Sequence, residues 1–259
     1  MSIANAINSF EGITLPEMDC VKLMNRTDRK YWFNAEYLEE LLLSVRDDYY
    51  ILEIDGERNQ PYATTYYDTP EDAMYLNHHR GKLNRFKIRR RQYVATSDSF
   101  LEIKFKTNKG RTIKTRIASE YQTASFDKEA ESFIGDKSPY QTSDLHPVLS
   151  NGFKRLMLVS KSKNERCTID QELAFVSHGV EVRLEQLVVV EVKGDARAKS
   201  PIIEAMRTRR IKPSGFSKYC MGRSLTDNSL RHGRFKLKHR QIEKEIHNTI
   251  NNITKPIQI

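Results

Sequence analysis

Basic side chains recur at every second position in several short segments of this 259-residue chain. In a β-strand successive side chains point to opposite faces, so this spacing places the basic groups on one face of a sheet. Lysine and arginine gathered in this way bind phosphate oxygens through charge-assisted hydrogen bonds, and arginine can make two at once. The candidate phosphate-binding residues in these segments are Lys87, Arg89, Arg91, Lys104, Lys106, Lys114, Arg116 and Lys193.

Two arrangements would explain this alternation. A half-exposed sheet, with its apolar face inward and its charged face in water, explains any single strand best. However, the charges of neighbouring strands are mostly of one sign, and like charges that face each other across strands repel. This favours strands that close into a barrel with the charged face inward. Clustered cations are costly to desolvate, and a bound polyphosphate would offset that cost.

Acidic residues stand alone among these cations. The pattern Glu-x-Lys occurs at Glu102 with Lys104 and at Glu191 with Lys193. Carboxylate oxygens suit Mg²⁺ and Mn²⁺, so both glutamates are candidate metal ligands. An internal ion pair explains Glu102 equally well. Three further alternating charges are also candidates for the barrel interior: Glu181, Arg183 and Glu185.

The elements that would carry these residues follow from apolar periodicity and turn signals. Residues 1–20 are expected to form an irregular lead-in. Strands are predicted over residues 20–30, 62–67, 86–93, 100–106, 111–117, 158–161, 166–170, 180–185 and 187–193. Helices are predicted after Asn34, from Thr69, within a helical or mixed region at 126–158, at about 200–210 and in the tail beyond 235, where Ile242, Ile246 and Ile250 form an apolar stripe.

The net charge of +9 indicates an anionic partner, which could be nucleic acid, a membrane surface or a phosphate compound. Phe86, Phe100 and Phe105 are expected mainly on the face opposite the cations, which disfavours stacking on nucleic-acid bases. The three cysteines are widely spaced, and the longest apolar run is too short to span a bilayer. We therefore expect a cytoplasmic protein without a membrane span.

Several short segments together resemble the polyphosphate polymerase domain of the vacuolar transporter chaperone family, within the triphosphate tunnel metalloenzymes. The resemblance runs from about residue 26 to residue 222. It rests on DRKYW, TYYDTP, NRFKIRRRQY, FLEIKFK, KGRTIKTR, ERCTID, VVVEVK and GFSKYCMG, in that order along the chain. It implies an antiparallel β-barrel tunnel with helices packed outside, in the α+β class. Residues 25–30 replace the ExExK pattern of the CYTH-type enzymes, and this favours the polymerase branch.

The resemblance also implies roles for individual residues. Arg89 and Arg91 would clasp the triphosphate, and Glu191 would bind Mn²⁺ or Mg²⁺. The other implied site residues are Lys30, Lys104, Lys114, Arg166, Ser217 and Lys218. The expected domain organisation is a lead-in at 1–20, a tunnel domain at 21–225 and a basic tail at 226–259.

Family members that polymerise transfer the γ-phosphate of ATP to polyphosphate, so ATP and polyphosphate are the expected partners. Two other functions stay open at this point: a triphosphatase of the same fold and a non-catalytic module that binds nucleic acid or another polyanion. The sequence leaves the oligomeric state open.

Overall fold

The computed structural model describes residues 2–19, 27–121, 125–195 and 197–246. The predicted α+β class with a large antiparallel sheet is confirmed. The strands are β1 Glu11–Ile13, β2 Thr27–Asn34, β3 Tyr49–Leu52, β4 Gln60–Asp68, β5 Arg85–Tyr93, β6 Ser99–Lys106, β7 Thr112–Ala118, β8 His146–Ser160, β9 Glu165–Ser177, β10 Val180–Leu184 and β11 Leu187–Gly194. The helices are α1 Ile3–Asn8, α2 Leu15–Asp19, α3 Leu38–Val45, α4 Ala73–His79, α5 Lys128–Lys137, α6 Pro201–Thr208, α7 Lys218–Thr226 and α8 Lys236–Glu245.

The strands form one sheet along the path β2-β11-β9-β8-β4-β5-β6-β7. Outside this path, β10 pairs with β9, and β3 pairs with β8 and with β1. Within the described residues, the outermost strands β2 and β7 do not pair with each other. Side chains from both outermost strands nevertheless line one cavity, so the sheet curves around a tunnel whose wall stays open along this seam.

Helices cover the sheet in two large apolar cores, and a third, smaller one joins Met18 of α2 to Ile13, Leu52 and Val159. In the first, Leu42 of α3 and Ile202 of α6 pack with Leu156 of β8 and Val190 of β11. In the second, α4, α5, α7 and α8 pack with strands that include β5, β6 and β9. Burying apolar side chains on the outer face leaves the alternate, charged side chains to face the tunnel.

The helix at the tail contributes to the second core. Ile242 and Ile246 are fully buried there, as their helical spacing predicts. Ile250, the third residue of the predicted stripe, lies outside the described residues. No helix in the described ranges is long and apolar enough to cross a membrane.

Several predicted elements are confirmed and others are corrected. The three consecutive strands predicted at 86–93, 100–106 and 111–117 are β5, β6 and β7, each paired with the next in antiparallel register. The helical or mixed prediction for 126–158 is correct only for its first part. Residues from His146 onward belong to the 15-residue strand β8, whose burial alternates over much of its length. The sequence obscures this strand because Pro147, Asn151 and Gly152 have low strand propensity.

The N-terminal region is more regular than expected. Residues predicted as an irregular lead-in form α1, β1 and α2, and β1 pairs in parallel with β3. The strand predicted at 20–30 is described only from Thr27, and it extends to Asn34. The Asn34 side chain then accepts a hydrogen bond from the backbone N–H of Glu36 at 3.0 Å, which caps the helical turn that precedes α3.

Helix α4 begins at Ala73 rather than at the predicted Thr69. Asp72 has a φ of 54°, a left-handed conformation that places the turn outside the helix. Asp68 supplies the missing cap, since its carboxylate accepts hydrogen bonds from the backbone N–H groups of Met74 and Tyr75 at 2.8 and 2.9 Å. Asp68 thus caps the N-terminus of α4, which begins four residues after Thr69. The Oγ1 atom of Thr69 accepts a hydrogen bond from the backbone N–H of Ala73 at 3.2 Å.

Candidate functional site

The curved sheet and α7 enclose a cavity of about 1250 Å³. Among the described residues, fourteen lysines and arginines line it against four acids. The cations are Lys30, Arg85, Lys87, Arg89, Arg91, Lys104, Lys106, Lys114, Arg116, Arg155, Arg166, Lys193, Lys218 and Lys238. Apart from Arg183, every cation that the sequence analysis placed at the site is in this set, and the predicted Glu191 and Ser217 line the same cavity.

Strand register brings three lysines into one row. Lys87 of β5 lies opposite Lys104 of β6, and Lys104 lies opposite Lys114 of β7. Nearby Arg89 and burial hold the pKa of Lys104 well below its usual range. Burial lowers the pKa of Lys87 as well, and it lowers that of Lys114 to about 8. This row of crowded cations favours a bound polyanion, which would relieve the repulsion.

The carboxylate of Glu102 holds two of the tunnel cations in place. Arg89 donates to Oε2 through Nε at 2.7 Å and through Nη2 at 2.5 Å, and the Lys114 ammonium contacts Oε1. The Glu102 side chain is fully buried. Burial alone would raise its pKa, but Arg89, Arg91 and Lys114 outweigh burial and lower it. Of the two roles left open by the sequence, these contacts show the ion pair, and they leave Glu102 a poor fit for a metal ion.

Glu191 lies on the other side of the tunnel, on β11. Its Oε1 is 2.8 Å from the Lys30 ammonium and 3.6 Å from that of Lys193. Although burial opposes it, the attraction of Lys193 and Lys30 lowers the Glu191 pKa to about 2. The described residues contain no group of three or more His, Cys, Asp or Glu side chains that could hold a metal ion by themselves.

Glu191 still fits a substrate-bridged ion. Mg²⁺ and comparable hard cations need only one or two carboxylates when phosphate oxygens and water complete the coordination. The Glu191 side chain is 23% exposed, faces the cavity and is ionised, which meets this need.

A second carboxylate network was missed by the sequence analysis. Arg155 of β8 donates to Asp170 of β9 through Nε at 2.5 Å and through Nη2 at 2.8 Å, and the ammonium of Lys218 contacts the same carboxylate. The Lys218 ammonium also lies 4.4 Å from the centre of the Phe153 ring. The alternation of Phe153, Arg155 and Met157 with buried Leu156 carried the signal, but the helical interpretation of this segment concealed it.

Helix α7 presents its N-terminus to the cavity. Ser217 caps the helix by accepting a hydrogen bond from the backbone N–H of Cys220 at 3.3 Å, and its Oγ also accepts from Lys87 Nζ at 3.0 Å. Helix N-termini favour anions, so α7 adds to the positive potential. Gly222 lets the helix approach the sheet, since a Cβ there would lie 2.5 Å from Phe175 and 2.6 Å from Leu149.

Some predicted placements are wrong. Glu181, Arg183 and Glu185 do not line the cavity; Arg183 is 57% exposed and pairs with Glu181 at 2.7 Å. They belong to β10, which lies beside the main path of the sheet.

One aromatic residue is also misplaced by the sequence interpretation. Phe86 and Phe105 stack on each other, with ring centroids 4.5 Å apart. Phe100 instead lines the cavity, because it shares its face of β6 with Lys104. Its ring is covered by the Arg116 guanidinium at 4.3 Å, so this face is already occupied by a cation.

Comparison with known proteins places the fold. No curated protein sequence matches this chain. A candidate adenylate cyclase from Bacillus halodurans has the same fold, with a TM-score of 0.50 and 14% identity over 75% of this chain and 96% of that one. A candidate adenylyl cyclase from Hippeastrum is described as having a dominant triphosphatase activity. Its TM-score is 0.49, and it is 14% identical over 78% of this chain and 96% of that one. The model of the VTC domain matches residues 25–226, which is most of the chain, and the chain therefore belongs to the VTC-domain family.

Proposed function

We propose that this protein is a metal-dependent polyphosphate polymerase that transfers the γ-phosphate of ATP to a growing inorganic polyphosphate chain in the cytoplasm. The observation that carries the proposal is the continuous cationic lining of the cavity. On β5 alone, Arg85 to Arg91 span six residue steps, or about 20 Å of tunnel wall. A lining of this extent suits a linear polyanion longer than one nucleotide triphosphate. We assign the catalytic domain to residues 21–225 and regard 226–259 as its basic tail.

The tunnel cations would position the phosphates for transfer. Phosphoryl transfer depends mainly on alignment and on neutralising charge, with little covalent chemistry for the protein. Arg89 and Arg91 are rigid forked donors for the phosphate oxygens, and Lys104 and Lys114 act as compact charges. The remaining proposed phosphate-binding residues are Lys30, Lys87, Lys106, Arg116, Arg166, Lys193, Ser217 and Lys218.

Glu191 would hold the divalent ion, Mn²⁺ or Mg²⁺, together with phosphate oxygens. When bound, such an ion neutralises the charge that develops on the transferred group. Lys30 and Lys193 keep Glu191 ionised and oriented toward the cavity before the ion arrives.

The acceptor distinguishes polymerisation from hydrolysis. Water needs a base to become a good nucleophile, whereas the terminal phosphate of a polyphosphate chain is already ionised. Of the four acids that line the described part of the cavity, Asp170 and Glu191 each contact two cations and have a lowered pKa. The adjacent buried Glu102 is engaged in the same way, so these three carboxylates are weak bases. Their engagement with cations supports a phosphate acceptor over water.

The proposal is tested by incubating the purified protein with ATP and Mn²⁺ and separating ADP, free phosphate and polyphosphate. ADP together with lengthening polyphosphate is the expected outcome. ADP with free phosphate alone would replace the proposal with a triphosphatase of the same fold. Binding of polyphosphate or nucleic acid without any turnover would indicate a polyanion-binding module.

A further inference from the structure

Two segments without any acidic residue meet at one end of the tunnel. The chain contains no Asp or Glu in residues 73–97 or in residues 228–242. The segments are in contact: the rings of His79 and Phe235 lie 5.7 Å apart, and the backbone N–H of Arg234 donates to His79 Nε2 at 3.4 Å. Packing two acid-free segments together concentrates positive charge at this end.

Of the six exposed cations on these segments, four form a surface that we call the mouth patch: Arg80, Lys82, Arg231 and Arg234. None of the four pairs with an acid in the part of the chain that the structure describes. The Arg234 guanidinium lies against Gly81, between Arg80 and Lys82 in the sequence. Such a cluster is repulsive by itself and is typical of a surface that receives an anion.

The mouth patch is continuous with the tunnel. Phe235 and Lys238, which follow Arg234 closely in the chain, line the cavity. On the other segment, Arg85 lines the cavity and its guanidinium donates to the backbone carbonyl of Lys82. An anionic chain that leaves the tunnel past Arg85 and Lys238 therefore meets the mouth patch next.

We propose that the mouth patch binds the part of a linear polyphosphate chain that extends beyond the tunnel. The proposal rests on the proposed function in its choice of ligand. Continuity with the tunnel lining favours polyphosphate over an anionic membrane. Leu83 and Leu237 are exposed in the same two segments, but isolated exposed leucines are ordinary on protein surfaces. The patch would give the protein a preference for long chains.

The test compares the binding of long-chain polyphosphate and of tripolyphosphate, which fits inside the tunnel. The variant R231Q/R234Q removes two charges of the patch, and neither of the two substituted residues lines the cavity. A control variant with the same change in net charge, R46Q/R183Q, alters exposed arginines that do not line the cavity. By analogy with phosphate contacts in nucleic acids, R231Q/R234Q should weaken long-chain binding roughly tenfold and reduce its salt dependence by about two released ions.

The affinity of R231Q/R234Q for tripolyphosphate should stay within about twofold of the wild-type value. The control R46Q/R183Q should keep the wild-type preference for long chains. An unchanged preference in R231Q/R234Q, or an equal loss for both ligands, would overturn the proposal. So would selective loss of binding to phosphatidylserine vesicles while long-chain binding is retained, which would assign the patch to a membrane surface.

Failure of the patch and failure of the proposed function are separable. If the wild-type protein synthesises polyphosphate but R231Q/R234Q keeps the same preference for long-chain polyphosphate over tripolyphosphate, the proposed function stands and the role of the patch is rejected. Selective loss of long-chain binding in a protein that synthesises no polymer would retain the patch and reject the function.

Discussion

Lys30 of β2 lies directly opposite Glu191 of β11, and their side chains form an ion pair of 2.8 Å. The pair lies at one edge of the sheet and faces the cavity. It keeps the carboxylate ionised without burying it completely. A divalent ion at Glu191 would have to compete with Lys30, so metal affinity in the empty tunnel should be weak and should rise when phosphate supplies further oxygens.

Replacing Glu191 by glutamine should abolish metal-dependent turnover. Mutating a residue that only supports a metal ligand already costs about 10–100-fold, so loss of the ligand itself should cost at least as much, while the glutamine preserves shape. Polyphosphate binding without metal should be unchanged or tighter, because Lys30 and Lys193 lose their counterion. The control is E181Q, which alters a partly exposed ion pair outside the cavity. Full turnover in E191Q with Mn²⁺, measured as ADP release, would refute the metal role.

Replacing Arg89 by alanine should impair both stability and binding. Glu102 would remain buried with Lys114 as its remaining direct partner, and breaking a buried ion pair costs about 3–5 kcal/mol. The double variant R89A/E102Q removes the stranded charge, so it should recover part of the unfolding free energy in urea titrations. Its affinity for ATP should stay low. Wild-type ATP affinity in either variant would contradict a clamping role for Arg89.

Polyphosphate binding should weaken as the pH rises above about 8. The pKa of Lys114 is about 8 in the empty tunnel, below the ordinary value for lysine, and a bound polyanion raises it again. Below pH 8 Lys114 is charged with or without ligand. Between about pH 8 and 10 binding must take up a proton, and the affinity contributed by this group falls by up to tenfold per pH unit.

The measurement for this pH dependence is calorimetry in buffers of different ionisation enthalpy, which reports proton uptake. In the variant K114R, the arginine stays charged throughout this pH range, so the proton uptake that Lys114 contributes on binding should disappear. A wild-type protein that takes up no proton at pH 9 would contradict the pKa assigned to Lys114.

Gly222 should be essential for the close packing of α7 against the sheet. A Cβ at this position would lie too close to Phe175 and Leu149, so G222A should cost about 1–3 kcal/mol or displace the helix. Displacement would move Ser217 and Lys218 and reduce polyphosphate affinity. Gly135 in α5 has open space around it, so G135A should be neutral or stabilising by up to about 1 kcal/mol. Equal melting temperatures for the two variants would contradict this packing argument.

The sequence predicted the tunnel strands well where alternation and composition agreed. Lys87, Arg89 and Arg91 on β5, and Lys104 on β6, were assigned to one face because apolar residues occupy the other. The same rule, applied to Phe100, would have placed it in the tunnel beside Lys104. An apolar side chain is ordinarily expected on the apolar face, and Phe100 is the exception on this strand.

Other parts of the site depend on contacts between residues distant in sequence. Asp170 contacts Lys218 across 48 positions, and Lys87 contacts Ser217 across 130. No local pattern encodes such pairs, because they arise when α7 packs against the sheet. The start of α4 differs from its sequence pattern for a local reason: the turn at Asp72 adopts a left-handed backbone that propensity does not reveal, and Asp68 then caps the helix.

The central claim is tested most directly by following the γ-phosphate of ATP. With γ-labelled ATP, Mn²⁺ and the purified protein, the account predicts that label enters a polymer that exopolyphosphatase degrades, in proportion to ADP formed. Replacing Glu191 by glutamine should eliminate both products. Label recovered entirely as free phosphate, at a rate equal to ADP release, would contradict the polymerase assignment.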